Sequence, residues 1–181
     1  MLFSYDDCIE RYKNDYGVKK AIRNGYVNKL EKGIYSESEY ISEREIISYK
    51  YPNAVFTLNS ALYYHDLTDV VPEKYYLATD KDSSKISDSR VKQIFENDDY
   101  YLLGAEKILT DDGSELLMYN RERLLVEVIR YHTKMPYDFY KEVINSYRNI
   151  IHELDIQTLQ EYISVLPKSE FVTDVLEKEI L

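Results

Sequence analysis

The side chains with catalytic potential are three histidines, several carboxylate clusters and an Arg-Glu-Arg triplet, and their spacing decides what chemistry is open to them. His65, His132 and His152 are far apart and show no metal-ligand spacing. His65 beside Asp66 has the composition of a base with its orienting carboxylate. Adjacent residues on a helix do not face each other, so a structural histidine is expected. A restriction-type nuclease needs an acid followed by Glu-x-Lys to hold a metal and activate water, and no Glu-x-Lys occurs here. A nucleotidyltransferase would carry Gly-Ser ahead of paired aspartates, whereas Gly113-Ser114 is followed by Glu115-Leu116-Leu117. No glycine-rich phosphate loop of the P-loop or dinucleotide type is present. Asp80-Lys81-Asp82 and Asn97-Asp98-Asp99 hold possible cation ligands, but turn chemistry accounts for both. The lone Cys8 excludes an internal disulfide and a cysteine-based zinc site, and it reads as a small buried apolar residue. The expectation is a protein without catalytic residues, metal or cofactor.

Binding chemistry is better represented. The chain carries a net charge of −10, which argues against coating nucleic acid along its whole surface. Residues 1–36 depart from that total, with seven Lys/Arg against five Asp/Glu; the net of +2 leaves −12 for the rest. Lys19, Lys20, Arg23, Lys29 and Lys32 fall within residues 16–35 beside a single acid, Glu31. On a helix with about 100° between residues, Lys19, Lys20 and Arg23 share roughly a third of the circumference. Val18, Ala21 and Ile22 lie on the other side. A cationic helix stripe followed by a basic hairpin is the arrangement with which a winged helix meets a DNA groove and its flanking phosphates. Asn28, in the same hairpin, joins Lys19, Lys20, Arg23, Lys29 and Lys32 as a DNA-contact candidate.

The elements that must position these residues follow from local signals. Ser4 with Asp7 three residues on reads as a capping box, with Phe3 and Cys8 at the staple positions, and predicts a helix over Tyr5–Tyr12. Asn14-Asp15 restarts a helix over Tyr16–Asn24, and Gly25 ends it. Runs on either side of Glu31-Lys32-Gly33 read as a hairpin. Ser42-Glu43-Arg44-Glu45 opens a helix that stops before Pro52. Strands are expected over Ala54–Thr57, Lys74–Thr79, Val91–Phe95, Tyr100–Leu103, Lys107–Thr110 and Glu115–Tyr119, with a short helix over Asn59–His65 and a turn at Asp111-Asp112-Gly113. From Asn120 the apolar period becomes that of helices, with a face at Leu124, Leu125, Val128 and Ile129, then Phe139, Tyr140, Val143, Ile144 and Tyr147. Two further helices start near Ile156 and Glu170. Twenty tyrosines are spread through every element, so they read as core and boundary residues, not as a stacking platform. Arg121-Glu122-Arg123 opens a strongly apolar helix, and a pairing of Arg121 or Arg123 with a sheet carboxylate is expected as a buried clamp.

The predicted class is α+β: an N-terminal winged helix-turn-helix head over 1–36, then a mixed or antiparallel sheet covered by C-terminal helices over 37–181. The N-terminus lacks the features of a signal peptide and no apolar run would cross a bilayer, so a cytoplasmic protein without membrane partners is expected.

Gly25-Tyr26-Val27-Asn28-Lys29-Leu30-Glu31-Lys32-Gly33-Ile34-Tyr35 resembles the helix end and wing of the AbiEi-type antitoxins, the regulatory partners in type IV toxin–antitoxin systems. Ser60-Ala61-Leu62-Tyr63-Tyr64-His65-Asp66-Leu67 is similar to that family's short helix after its first strand. Tyr119-Asn120-Arg121-Glu122-Arg123-Leu124-Leu125 is similar to its strand-to-helix junction, with Arg130 on the same helix. The resemblance implies a bacterial transcriptional regulator whose head binds promoter DNA and autoregulates an operon. The larger domain would counteract a nucleotidyltransferase-like toxin. Two departures are visible: the head has room for two helices instead of three, and the stripe has no outward Asn or Gln beside its bases for base readout. From the charge split, the alternative is a non-catalytic interaction module whose acidic domain binds a basic partner.

Overall fold

The computed structural model describes residues 1–97, 99–110 and 113–180, and the chain divides into two compact units, Met1–Pro52 and Asn53–Leu181. Asp98 and the Asp111-Asp112 part of the expected turn lie outside the described residues.

In the first unit, α1 (Tyr5–Tyr12) begins at the expected capping box: the Ser4 hydroxyl accepts from the Asp7 N–H, and the Asp7 carboxylate accepts from the Ser4 N–H. Lys13 leaves α1 with φ +73°, and Asn14 caps α2 (Asp15–Arg23) by accepting from the Gly17 N–H at 2.8 Å. Gly25, at φ +75°, closes α2 as expected, its N–H donating to the Ile22 carbonyl while the Tyr26 N–H reaches Ala21. The hairpin is β2 (Asn28–Glu31) and β3 (Ile34–Ser36), turning at Gly33 with φ +81°. A strand that sequence reasoning missed, β1 (Leu2–Phe3), pairs antiparallel with β3, so the sheet is three-stranded in the order β1-β3-β2. Phe3, Cys8, Val18, Ala21, Val27 and Tyr35 form the core of this unit.

The first compact unit runs past the expected boundary at residue 36, to Pro52. Helix α3 (Glu43–Lys50) belongs with the first unit, where the Lys50 ammonium meets Glu31 of β2 at 3.0 Å. A third helix therefore completes what the sequence read as a two-helix head. The charge division moves with it. Glu37, Glu39, Glu43 and Glu45 against Arg44 and Lys50 cancel the +2 of residues 1–36, so the unit is neutral and the second unit carries the whole −10.

The second unit is α+β. Its sheet has the order β6-β5-β4-β8-β7, formed by β4 (Val55–Phe56), β5 (Tyr75–Asp80), β6 (Val91–Glu96), β7 (Ala105–Leu109) and β8 (Glu115–Tyr119). The sheet is mixed: β4 runs parallel to β8 and β5 to β6, while β4–β5 and β7–β8 are antiparallel. Helix α4 (Leu58–Tyr64) lies against β5, α5 (Arg121–Arg130) against α4, and α7 (Ile156–Val165) and α8 (Ser169–Glu179) against α5. Helix α6 (Tyr137–Ile150) is tied to the start of α5 by the Tyr147 hydroxyl, which donates to the Arg121 carbonyl at 3.0 Å. Every residue of α5 from Arg123 to Ile129 is buried. Such an all-round burial marks a central helix.

Tyr100–Leu103 is a turn, contrary to expectation. Successive bonds from Tyr100 to Asn97, Leu103 to Tyr100 and Ala105 to Leu102 wind it tightly, and its carbonyls at Tyr100 and Leu103 accept from the Arg123 guanidinium. An extended strand would point those carbonyls along a ladder and leave the Nη1 of that guanidinium without its acceptors. Among the described residues no helix is long and apolar enough to cross a membrane.

Candidate nucleic-acid interface

Helix α2 sorts its residues as the sequence predicts. Val18 and Ala21 are buried, whereas Lys19, Lys20 and Arg23 are exposed. Tyr16 shares their face: positions 16, 19, 20 and 23 follow the i, i+3, i+4, i+7 rule, and Tyr16 is 74% exposed. The sequence carries this spacing, but tyrosine as a residue type reads equally as core or boundary. Tyr26, just past the helix end, is 66% exposed and was missed for the same reason. Phenolic hydroxyls donate to phosphate oxygens, so both belong with the cations as contact candidates.

The cations are not equivalent. Lys19 is held at 2.6 Å by Asp15, one turn earlier, so part of its field is already balanced. Asp15 also accepts from the Tyr5 hydroxyl, and these two bonds, that to Lys19 first, hold its carboxyl below the ordinary range. The same contact pushes the Tyr5 phenol up to about 12. No ion pair among the described residues engages Lys20, Arg23, Lys29 or Lys32. Lys29 stands exposed on β2 opposite Tyr35, and Lys32 is exposed in the turn. Asn28 is half-buried and paired with Ser36, at the base of the hairpin instead of its tip.

The α1–α2 turn sets how this face is presented, and Gly17 permits it. A Cβ at Gly17 would lie 2.1 Å from the Tyr12 carbonyl oxygen and 3.1 Å from its carbon. Both are backbone atoms, and the bond to Asn14 fixes the Gly17 N–H. Gly17→Ala is expected to force α1 and α2 apart, costing about 1–3 kcal/mol as overpacked sites do. Chemical denaturation of the variant is the direct check; an unchanged midpoint would mean that the turn yields freely.

In the second unit the histidines and the Asp80 carboxylate are held by structural contacts. His65 is held at 2.8 Å from the Tyr119 carbonyl, and burial pushes its pKa below the ordinary range, which fits the expected structural role. His132 rests on the Ile129 carbonyl and stacks on Phe171. Asp80 accepts from the Asp82 N–H as a turn residue. Among the described residues, no group of three or more His, Cys, Asp or Glu is placed to hold a metal ion.

The expected clamp forms on Arg123, whose side chain is fully buried, whereas Arg121 pairs with Glu153 at the surface. Arg123 meets Glu127 at 2.8 Å and the sheet carboxylate Glu96 at 3.9 Å. Arg130 meets the same two acids at 2.5 and 3.6 Å. Glu96 also accepts from the Tyr131 hydroxyl, and the Arg123 guanidinium lies over the Tyr119 ring. Burial raises the Glu127 carboxyl despite its two cationic neighbours. Two cations and two carboxylates thus tie β6 to α5.

No family model matches the chain, and no curated protein matches it. Its fold is similar to that of the RV2827C protein from Mycobacterium tuberculosis, known from a crystal structure. The TM-score is 0.69 at 15% sequence identity, and the likeness covers 98% of this chain and 71% of that one. At that identity the likeness is one of fold.

Proposed function

We propose that this chain is a non-catalytic, DNA-binding transcriptional regulator of the antitoxin type. One observation carries the reading: Tyr16, Lys19, Lys20 and Arg23 form a single exposed face of α2, next in the chain to a hairpin with exposed Lys29 and Lys32. In this reading α1 and α2 act as a helix-turn-helix, α2 enters the major groove, and the β2–β3 hairpin is the wing on the flanking phosphates. The bases on α2 and the hairpin suit phosphate contact, and Arg23 and the α2 lysines are also of the type that reads guanine edges, with Asn24 exposed at the helix end beside them.

The resemblance to the AbiEi-type antitoxins supplies the biological half of the proposal. The DNA is the promoter of the chain's own operon, in the cytoplasm of a bacterium, and the second unit counteracts a nucleotidyltransferase-like toxin. Titrating promoter DNA at several salt concentrations tests the first half. With about four phosphates neutralised, log affinity should fall against log salt with a slope near −3.6, at roughly −0.9 per phosphate. Affinity that stays level from low to high salt would remove the cationic face as the contact.

A further inference from the structure

Helices α7 and α8 border an open groove of about 640 Å³ whose two walls differ in chemistry. Ile156, Leu159 and Ile163 on α7 line one side at i, i+3, i+7 spacing, with Leu176 of α8 at the base. Glu170, Asp174 and Glu177 line the other at i, i+4, i+7 spacing, which makes a row of carboxylates along one face of α8. No Lys or Arg lines the groove among the described residues, and α7 has none in its sequence. Lys178 reaches Asp174 at 2.5 Å, which leaves the row still acidic. Ile156 remains 40% exposed on its rim. At about 1.5 Å per residue, the lined stretch accommodates roughly two helical turns.

We infer that this groove docks a basic amphipathic helix of a protein partner. Its apolar residues, at i, i+3 or i+4, and i+7, lie on Ile156, Leu159 and Ile163, and its Lys or Arg residues flank them toward Glu170, Asp174 and Glu177. The two walls ask for both properties in one ligand: an apolar helix would leave the carboxylates unmatched, and a basic coil would leave the isoleucines wet. A second copy of this chain does not fit. A two-fold contact of groove on groove sets each carboxylate row against either the partner's row or its apolar wall, and in neither case against a cation, since no Lys or Arg lines the groove among the described residues. The basic helix α2 has already buried its apolar residues Val18 and Ala21 in its own core. The inference holds whether or not the first unit binds DNA.

The test uses the full chain and a fluorescent synthetic peptide of about five helical turns, Leu on one face and Lys along its edge. One companion peptide replaces Lys by Glu, and another keeps the composition while scrambling the period. The first peptide is expected to bind and to slow amide exchange in α7 and α8, and the other two to bind at least about tenfold more weakly. Two variants separate the walls. Glu170→Gln/Asp174→Asn/Glu177→Gln changes only exposed side chains, and should weaken binding about tenfold while flattening its salt dependence. Ile156→Gln, also exposed, should weaken binding with the salt dependence retained. The inference is overturned if the first peptide does not bind, if the scrambled basic peptide binds equally well, or if neither variant changes affinity. A dimer of the chain that either variant dissociates would assign the groove to a second copy and overturn it too.

Discussion

Replacing Lys19, Lys20 and Arg23 by alanine is expected to abolish binding to promoter DNA while leaving the protein's stability nearly unchanged. The three side chains are exposed, and exposed substitutions away from special features cost within about 0.5 kcal/mol. Each phosphate contact removed should lower the salt slope by about 1, so a slope near −3.6 should fall to below about −1 in magnitude. The losses should be unequal. Lys19 already shares its charge with Asp15 at 2.6 Å, whereas Lys20 and Arg23 have no such partner among the described residues. Lys19→Ala alone should therefore weaken binding less than Arg23→Ala alone. Electrophoretic mobility shifts with the promoter fragment give the comparison directly. A triple variant that retains wild-type affinity would sink the interface assigned to α2.

The same variant tests the division of labour. If the second unit counteracts the toxin, the triple variant should still protect cells from it, having lost only autoregulation. Loss of protection by a well-folded variant would mean that neutralisation runs through nucleic-acid binding. The neutral charge of Met1–Pro52 makes this a local experiment: no global attraction holds the unit to DNA once the stripe is gone. The exposed Tyr16 on the same face supplies a companion measurement, since Tyr16→Phe removes a hydroxyl without changing charge.

What could be read from the sequence was local. Ser4 with Asp7, Asn14 and Gly25 place α1 and α2 because a cap is a contact between residues three or four apart. The side of α2 that faces water followed from the 3.6-residue period, and so did the buried face of α5. What stayed hidden depends on distant partners. Leu2–Phe3 is too short to read as a strand and is one only because Tyr35 and Ser36 pair with it. Helix α3 was found, but its allegiance to the first unit rests on packing and on the Lys50–Glu31 contact, nineteen residues apart in the chain. Tyr100–Leu103 has the tyrosine and leucine of a strand, yet Arg123 needs its carbonyls. Gly104 marks the place: at φ +76°, a Cβ there would lie 2.6 Å from the Arg123 Cβ. Tyrosine itself is ambiguous, because its ring suits a core and its hydroxyl suits water. The helical period separates buried Tyr147 from exposed Tyr16, but nothing local separates buried Tyr119 from exposed Tyr26.

Arg123→Met is expected to be the most damaging single substitution in the second unit, at about 3–5 kcal/mol, because it breaks a buried ion cluster from one side. Two cations and two carboxylates balance in the wild type; the variant leaves Arg130 alone with Glu96 and Glu127. It also strips the Tyr100 and Leu103 carbonyls of their donor and the Tyr119 ring of its cation. Small domains are stable by only about 5–15 kcal/mol, so this loss should bring the unit close to unfolding. Arg123→Lys should recover little. One ammonium cannot replace the planar fork that serves Glu127, Tyr100 and Leu103 together. The double variant Arg123→Met/Glu127→Leu separates charge balance from packing. It removes one cation with one carboxylate and leaves Arg130 with Glu96 at 3.6 Å, a neutral pair. Its stability should therefore exceed that of Arg123→Met, with a coupling between the two positions of about 2 kcal/mol or more, inside the range for residues sharing one network. Thermal and urea unfolding of the four proteins provide the cycle. A cost below about 1 kcal/mol for Arg123→Met, or additive effects of the two substitutions, would show that β6 and α5 are not joined through these charges.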